Sequence, residues 1–456
     1  MTAGEASSTL AEREDGEPVT RRAPFSDNPR VGVRGQRTRQ RILDAALQLF
    51  GDEGFHQSSI ARITKRANCS RVSFYQYFSG KEDVFSSLAG QVSRQISAST
   101  EAIDPLTPDA AGREVLRAWV GRYGDIHARY GPIFRALPAA LEEDDLLHAG
   151  AARLRDQSVA RIRSKLATSD LPPRRLDPLL ALLISCLART LDDAASLRSV
   201  APEDYPRERV EEAITDVMHR SLFGRSAVNV RDNTFPRPRR VEFGPVVHDM
   251  LEKEGAVQAG TDRRSAMKAL VDNGRDVFVE RGYHATRVDD LAAAAGVSHG
   301  VFYRYFENKD QLAIVLTVQA MRAIADTFVE IPNVTTSNTS DLRRWLRRYN
   351  TAQSGEAAMI RVWVDAAQED ARLRSLSASA LDWGRRRMVP ILAGRGFGDV
   401  DMDAVVMVAL LGAFGAQQRG PAAVEAAAHV LERGLLGRPG LGEEPGLVKG
   451  SNGHRH

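Results

Sequence analysis

The sequence predicts an all-α protein built from two similar halves, each a three-helix domain followed by a longer helical domain. Two observations carry this. Residues 50–84, FGDEGFHQSSIARITKRANCSRVSFYQYFSGKEDV, align without a gap to 278–312, FVERGYHATRVDDLAAAAGVSHGVFYRYFENKDQL, at a constant offset of 228. Identities fall at Phe50/Phe278, Gly54/Gly282, His56/His284, Ala67/Ala295, Ser70/Ser298, Phe74/Phe302, Tyr75/Tyr303, Tyr77/Tyr305, Phe78/Phe306 and Lys81/Lys309. After each copy, about 130 residues carry helical periodicity without strand-like alternation. A chain of 456 residues also exceeds the ~250–300 at which a single core stops growing.

Residues 1–35, rich in charge, Gly, Pro and Ser, read as a disordered basic tail. The first domain, 36–96, opens with a helix from Arg37 whose Ile42, Ala45, Ala46, Leu49 and Phe50 share one face before Gly54 ends it. Ser58 or Ser59 then caps a short helix, IARITKRA, with Ile60, Ile63 and Ala67 inward. Asn68 supplies the left-handed turn that Gly296 supplies in the second copy. Ser70 caps RVSFYQYF, which turns Phe74 and Phe78 inward and leaves Arg71, Val72, Ser73 and Gln76 outward. Residues 97–228 continue as helices. The segment 229–262, with NVRDNTFPRPRRVEFGP, reads as an exposed, fairly stiff linker. The order then repeats, with a three-helix domain at 263–324, helices over 325–436 and a disordered tail at 437–456.

A short helix held by two others fits the DNA major groove, where its N-terminal side chains reach base edges. On this reading Ser59, Arg71, Val72, Ser73, Tyr75, Gln76, Tyr77 and Lys81 form one DNA-binding surface. Arg287, His299, Gly300, Val301, Tyr303, Arg304, Tyr305 and Lys309 form the second. The tyrosines and lysines suit phosphates. Net charge is only +3, but from Ser59 to Lys81 the charged residues are Arg62, Lys65, Arg66, Arg71 and Lys81 with no acid among them. A local basic stripe attracts phosphate even on a near-neutral chain.

Other classes find little support. There is no HExxH, P-loop or nucleophile-elbow pattern, so no enzyme, cofactor or metal is expected. Cys69 and Cys186 match no metal or redox spacing and suit a reducing compartment. The N-terminus lacks the apolar core of a secretory signal, and the longest apolar runs, Leu179–Ala188 and Ala404–Ala416, fall short of the ~20 residues a membrane helix needs. A cytoplasmic protein, nucleoid-associated when bound to DNA, is expected.

The second copy, ATRVDDLAAAAGVSHGVFYRYFENKDQL, resembles the N-terminal domain of the TetR/AcrR family of transcriptional regulators. The first departs at Asn68-Cys69, where Gly-Val is usual, and at Val72, where glycine is common. The resemblance covers about 60 residues per copy and implies helix-turn-helix units, each followed by an all-α effector domain. It further implies dimers reading palindromes, and repression relieved by a small molecule. With both units in one chain, the last two helices of each half, about 176–223 and 401–436, are expected to form the shared bundle. A monomeric pseudo-dimer or a further homo-oligomer would follow. Arg71, Val72, Ser73 and Gln76 correspond to His299, Gly300, Val301 and Arg304, so an asymmetric double-stranded operator is expected. Trp119, Phe134, Trp345 and Trp363 are candidate linings for an apolar effector pocket, with ordinary core packing the competing reading. A ligand-sensing or protein-interaction module with one decayed DNA-binding copy is the alternative function.

Overall fold

The computed structural model describes residues 33–143, 145–167, 171–224, 236–241, 265–331, 339–369, 371–417 and 420–438, together with 11–12 and 18–19. Both terminal tails otherwise lie outside the described residues, as does most of the linker. Two compact units, residues 1–91 and 92–456, are described separately.

Sixteen α-helices lie among the described residues, eight per half. The first half has α1 (Val33–Glu53), α2 (Ile60–Arg66), α3 (Arg71–Tyr75), α4 (Lys81–Glu101), α5 (Ala110–Glu143), α6 (Asp145–Lys165), α7 (Pro173–Val200) and α8 (Arg207–Phe223). The second has α9 (Ser265–Ala285), α10 (Val288–Ala294), α11 (His299–Tyr305), α12 (Lys309–Thr327), α13 (Thr339–Glu369), α14 (Ala371–Ala393), α15 (Val400–Gln417) and α16 (Pro421–His429), the last running on as a π-helical stretch, Val430–Leu435. The all-α expectation holds. The described β structure is a ribbon of two residues per strand, Ala11–Glu12 against Pro18–Val19, and an isolated bridge between Leu106 and Leu166.

The repeat extends beyond its obvious copy, in shifted registers. At an offset of 226, Arg117, Trp119 and Tyr123 on α5 match Arg343, Trp345 and Tyr349 on α13, and Asp177 matches Asp403. Helices α6 and α14 open at Asp145 and Ala371, in the same register. At an offset of 213, Glu212, Arg220 and Gly224 match Glu425, Arg433 and Gly437. The matched residues make matched contacts. Arg117 Nε donates to Glu212 Oε1 at 3.0 Å and Arg343 Nε to Glu425 Oε1 at 2.6 Å. These ties anchor the last helix of each half to its fifth.

The two halves meet through α7, α8, α15 and α16, as the pseudo-dimer expectation requires. Helix α15, VDMDAVVMVALLGAFGAQ, is apolar nearly all round, a pattern that is stable only when other helices surround it. It packs on α7, α8, α13 and α14. The backbones of α8 and α16 approach so closely that a Cβ on Gly434 would collide with Ser221 Oγ and lie 3.0 Å from Val217 O. Cys186 sits wholly buried at this seam with its Sγ 3.8 Å from Val406 O, and burial pushes its thiol pKa up to about 12. It is an apolar packing group.

The described part of the linker, Pro236–Val241, is exposed at Pro236, Arg237, Arg239 and Arg240. Pro238 is buried. Arg239 N donates to Asp204 Oδ2 of the first half at 2.9 Å, and Val241 N to Asp382 Oδ2 of the second at 3.0 Å. Carboxylates on both halves satisfy its backbone amides, so this strap lies along the seam.

Candidate nucleic-acid interface

Each three-helix unit is built from the same local devices. In the first, Ile42, Leu43, Ala45, Ala46, Leu49 and Phe50 of α1 are buried, and α1 packs on α2. Gly54 (φ 83°) stops α1, and buried Ser58 turns its hydroxyl back to Gly54 O at 2.8 Å. In the second, Gly282 (φ 75°) makes the same break, and Thr286 Oγ1 donates to Gly282 O at 2.7 Å. Ser59 caps α2 by accepting from Arg62 N. Its counterpart Arg287 caps α10 differently, its own backbone N–H donating to Asp290 Oδ2 at 2.9 Å.

The turn into the third helix needs a left-handed residue, and Asn68 (φ 48°) and Gly296 (φ 65°) provide it. Asn68 is the described non-glycine residue with positive φ. Ser70 Oγ then accepts from Ser73 N at 3.0 Å, and Ser298 Oγ from Val301 N at 3.3 Å. Behind α3 the Phe74 and Phe78 rings lie 5.8 Å apart, and behind α11 the Phe302 and Phe306 rings lie 5.6 Å apart. All four are buried. They set which face points away from the core: Arg71, Val72, Tyr75 and Gln76 are exposed in one copy and His299, Gly300, Tyr303 and Arg304 in the other. Ser73, Tyr77, Val301 and Tyr305 are half-buried.

The two lysines have an internal post that sequence reasoning missed. Lys81 Nζ donates to the carbonyls of Phe55 and His56, both at 3.2 Å, and lies 4.6 Å from the centre of the Phe55 ring. Lys309 Nζ donates to Tyr283 O at 2.6 Å and Thr286 O at 3.1 Å, over the Tyr283 ring at 4.4 Å. Each lysine pins the loop between the first two helices. The matched His56 and His284 each lend a backbone carbonyl to the lysine of their own copy and set their rings edge-on to Phe55 and Tyr283.

Two segments of the chain, 42–88 and 270–316, match the family described as "Bacterial regulatory proteins, tetR family". The chain carries two TetR-family domains in tandem. It is similar to the Transposon Tn10 TetC protein of Escherichia coli, 43% identical over 49 residues, 11% of this chain and 25% of that one. It is also similar to the uncharacterized HTH-type transcriptional regulator YdgC of Bacillus subtilis, 34% identical over 88 residues, 19% of this chain and 45% of that one. The HTH-type transcriptional repressor DhaR of a Mycobacterium species is 46% identical over 48 residues, 10% of this chain and 24% of that one. The chain thus spans less than half the length of these relatives. A tetR-family transcriptional regulator from Streptomyces coelicolor aligns at 25% identity over 41% of this chain and 80% of that one, with a TM-score of 0.34.

The TetR-family domains differ most in charge. Residues 33–91 carry nine Arg and Lys against five Asp and Glu, and the matching 261–319 carry eight against eight. The structure trims the excess in the first. Arg62 pairs with Glu53 and Arg66 with Asp52 at 2.6 Å, so acids at the end of α1 fold back on two of the stripe's three central cations. Lys65 stays exposed. In the second domain Arg281 pairs with Asp290 at 2.7 Å, and His299 at the head of α11 lies 3.3 Å from Asp289. Cys69, beside the turn, has its thiol pKa raised by desolvation, with Arg41 opposing.

The four effector candidates do not come together. Trp119 and Trp345 are fully buried equivalents. Trp119 Nε1 donates to Thr100 Oγ1 at 3.4 Å and Trp345 Nε1 to Thr327 O at 2.8 Å, tying the fifth helix of each half to the end of the fourth. Phe134 lies 4.8 Å from the His127 ring, whose Nε2 is 2.8 Å from Asp192 Oδ1. Trp363 packs at the edge of the core beneath the second TetR-family domain. Trp119 and Trp345 each pack against a tyrosine one turn on, Tyr123 and Tyr349, with the N–H engaged as above. An open cleft of about 410 Å³ between α4 and α6 is lined by Ser93, Arg94, Glu101, Arg153 and Gln157 among others, and by none of the four aromatics.

Proposed function

We propose that the chain is a sequence-specific DNA-binding transcriptional regulator in which 36–96 and 263–324 are two unlike readers of one asymmetric operator. The observation that carries it is the pair of superficially different helices, α3 and α11, seated on one repeated scaffold: the same Ser cap, the same buried Phe pair and the same lysine staple present Arg71, Val72 and Gln76 in one copy and His299, Gly300 and Arg304 in the other. Side chains at these positions of a docked helix read base edges, while Ser59, Ser73, Tyr75, Tyr77, Arg287, Val301, Tyr303 and Tyr305 flank them toward the phosphates. Repression, with release by a small molecule bound in the helical domains, is the mode we assign. Similarity to relatives such as the transcriptional repressor DhaR supports the repression. We place it in the cytoplasm, on the nucleoid when bound. Among the described residues no helix is long and apolar enough to cross a membrane.

Selection of genomic fragments by the purified full chain, followed by band shifts with Arg71→Ala/Gln76→Ala and with His299→Ala/Arg304→Ala, tests this. Each pair of changes is expected to relax preference in one half-site only, by about 1–3 kcal/mol per lost base contact. A palindromic site, or no DNA binding by the intact chain, overturns it.

A further inference from the structure

The seam between the two halves is polar on one side in a way that has no mirror. A two-fold interface between like units makes every contact twice. Here the registers at 226 and 213 allow each contact to be compared with its would-be twin. Arg209 on α8 grips both oxygens of Asp399, with Nη2 to Oδ1 at 3.0 Å and both side chains nearly buried. Its twin would join Ala422 to Pro173, which have no charge to exchange. Tyr205 OH donates to Asp382 Oδ1 at 3.3 Å, and Arg385 and Arg386 hold the same carboxylate, which is 0% exposed. The matching Asp156 is 74% exposed and pairs only with its neighbour Arg155 among the described ion pairs. Arg175 occupies the position that Asp401 holds in the second half, and it faces Glu425, helping Arg343 to lower that carboxyl's pKa. The strap Pro236–Val241 crosses the seam once, bridging Asp204 and Asp382.

We propose that this seam is a heterospecific docking surface: each half accepts the other half of the same chain and rejects a second copy of itself. Two first halves would place Arg209 opposite Pro173, a desolvated guanidinium without its acid. Two second halves would leave Asp399 opposite Ala422 and set Asp401 toward Glu425, a like-charge contact. An unpaired buried charge is among the most destabilising defects an interface can hold. The contact that would survive either exchange is the one the repeat preserves, since Arg220 reaches Asp403 at 3.2 Å and the twin positions Arg433 and Asp177 retain the types. The inference stands independently of DNA binding.

The test uses the full chain with a protease site inserted within 242–264 and cut after purification. Two nicked preparations, one isotope-labelled, are unfolded together, refolded and weighed by native mass spectrometry. The expected result is one first half with one second half in at least about nine-tenths of the assembled species, labels scrambled, and homopairs below about a tenth. A 1:2:1 statistical mixture, or halves that separate as lone chains, overturns the proposal. In the uncut chain, Arg209→Asp should lower Tm by several degrees and added Asp399→Arg should restore most of it. A double variant no more stable than the single one also overturns it.

Discussion

The two TetR-family domains are the same machine in their backbone and different machines on their surface. The serine caps of the third helices and the paired Phe rings agree to within a few tenths of an ångström, whereas Arg71, Val72, Ser73 and Gln76 all differ from their counterparts and Tyr75/Tyr303 is kept. Scaffold residues answer to packing, which tolerates little. Outward residues answer only to what docks there. Divergence greatest on the outward face is what two readers of different half-sites would accumulate.

The comparison breaks most readily at the buried rings. Phe74→Ala and Phe302→Ala should each cost about 3–5 kcal/mol of local stability by chemical denaturation, with the two losses agreeing to about 1 kcal/mol. A large disparity would mean that the scaffolds are not equivalent. Next come the staples. Lys309→Met should cost about 2 kcal/mol and Lys81→Met about half that, because Lys309 makes the shorter bonds. If the lysines act by pinning the loop, both variants weaken DNA binding without changing its salt slope; a slope reduced by about 1 would show a phosphate contact instead.

The turns give a smaller effect with opposite signs. Gly296→Ala, at φ 65°, should cost about 1–2 kcal/mol, while Asn68→Gly, at φ 48°, should be neutral or stabilise by up to about 1 kcal/mol in thermal melts. Smallest is the charge test. Releasing Arg62 and Arg66 by Glu53→Gln/Asp52→Asn should steepen the salt dependence of DNA binding by about one unit per freed guanidinium, with little change in Tm. An unchanged slope would show that the stripe does not face DNA.

Much of this was legible in the sequence because it is local. Ser70 is three residues from the amide it caps, Phe74 and Phe78 are one turn apart, and the left-handed turn has a residue type that permits it. What was not legible connects residues that the sequence separates. Lys81 reads as a helix-opening cation until the fold brings it to carbonyls 25 and 26 residues back. The stripe from Ser59 to Lys81 looks free of acids because Asp52 and Glu53 lie just outside it. The second part of the repeat was hidden by changes of register: α7 runs 28 residues against 18 for α15, so the offset shifts before α8 and α16 while the Arg117–Glu212 and Arg343–Glu425 ties persist. For the aromatics, Trp-x-x-x-Tyr describes a buried helix face as well as a pocket wall, so the sequence leaves both readings open.

The shared four-helix seam also fixes how the molecule responds to dilution. In a regulator assembled from two chains, scarcity splits the dimer and the fraction able to span an operator falls with protein concentration. Joining both halves of the seam in one chain replaces that encounter with an intramolecular one, whose effective concentration the chain itself sets. On the proposed reading, with one chain spanning one operator, occupancy should rise in simple proportion to copy number down to a few molecules per cell, without the threshold that a monomer–dimer equilibrium imposes.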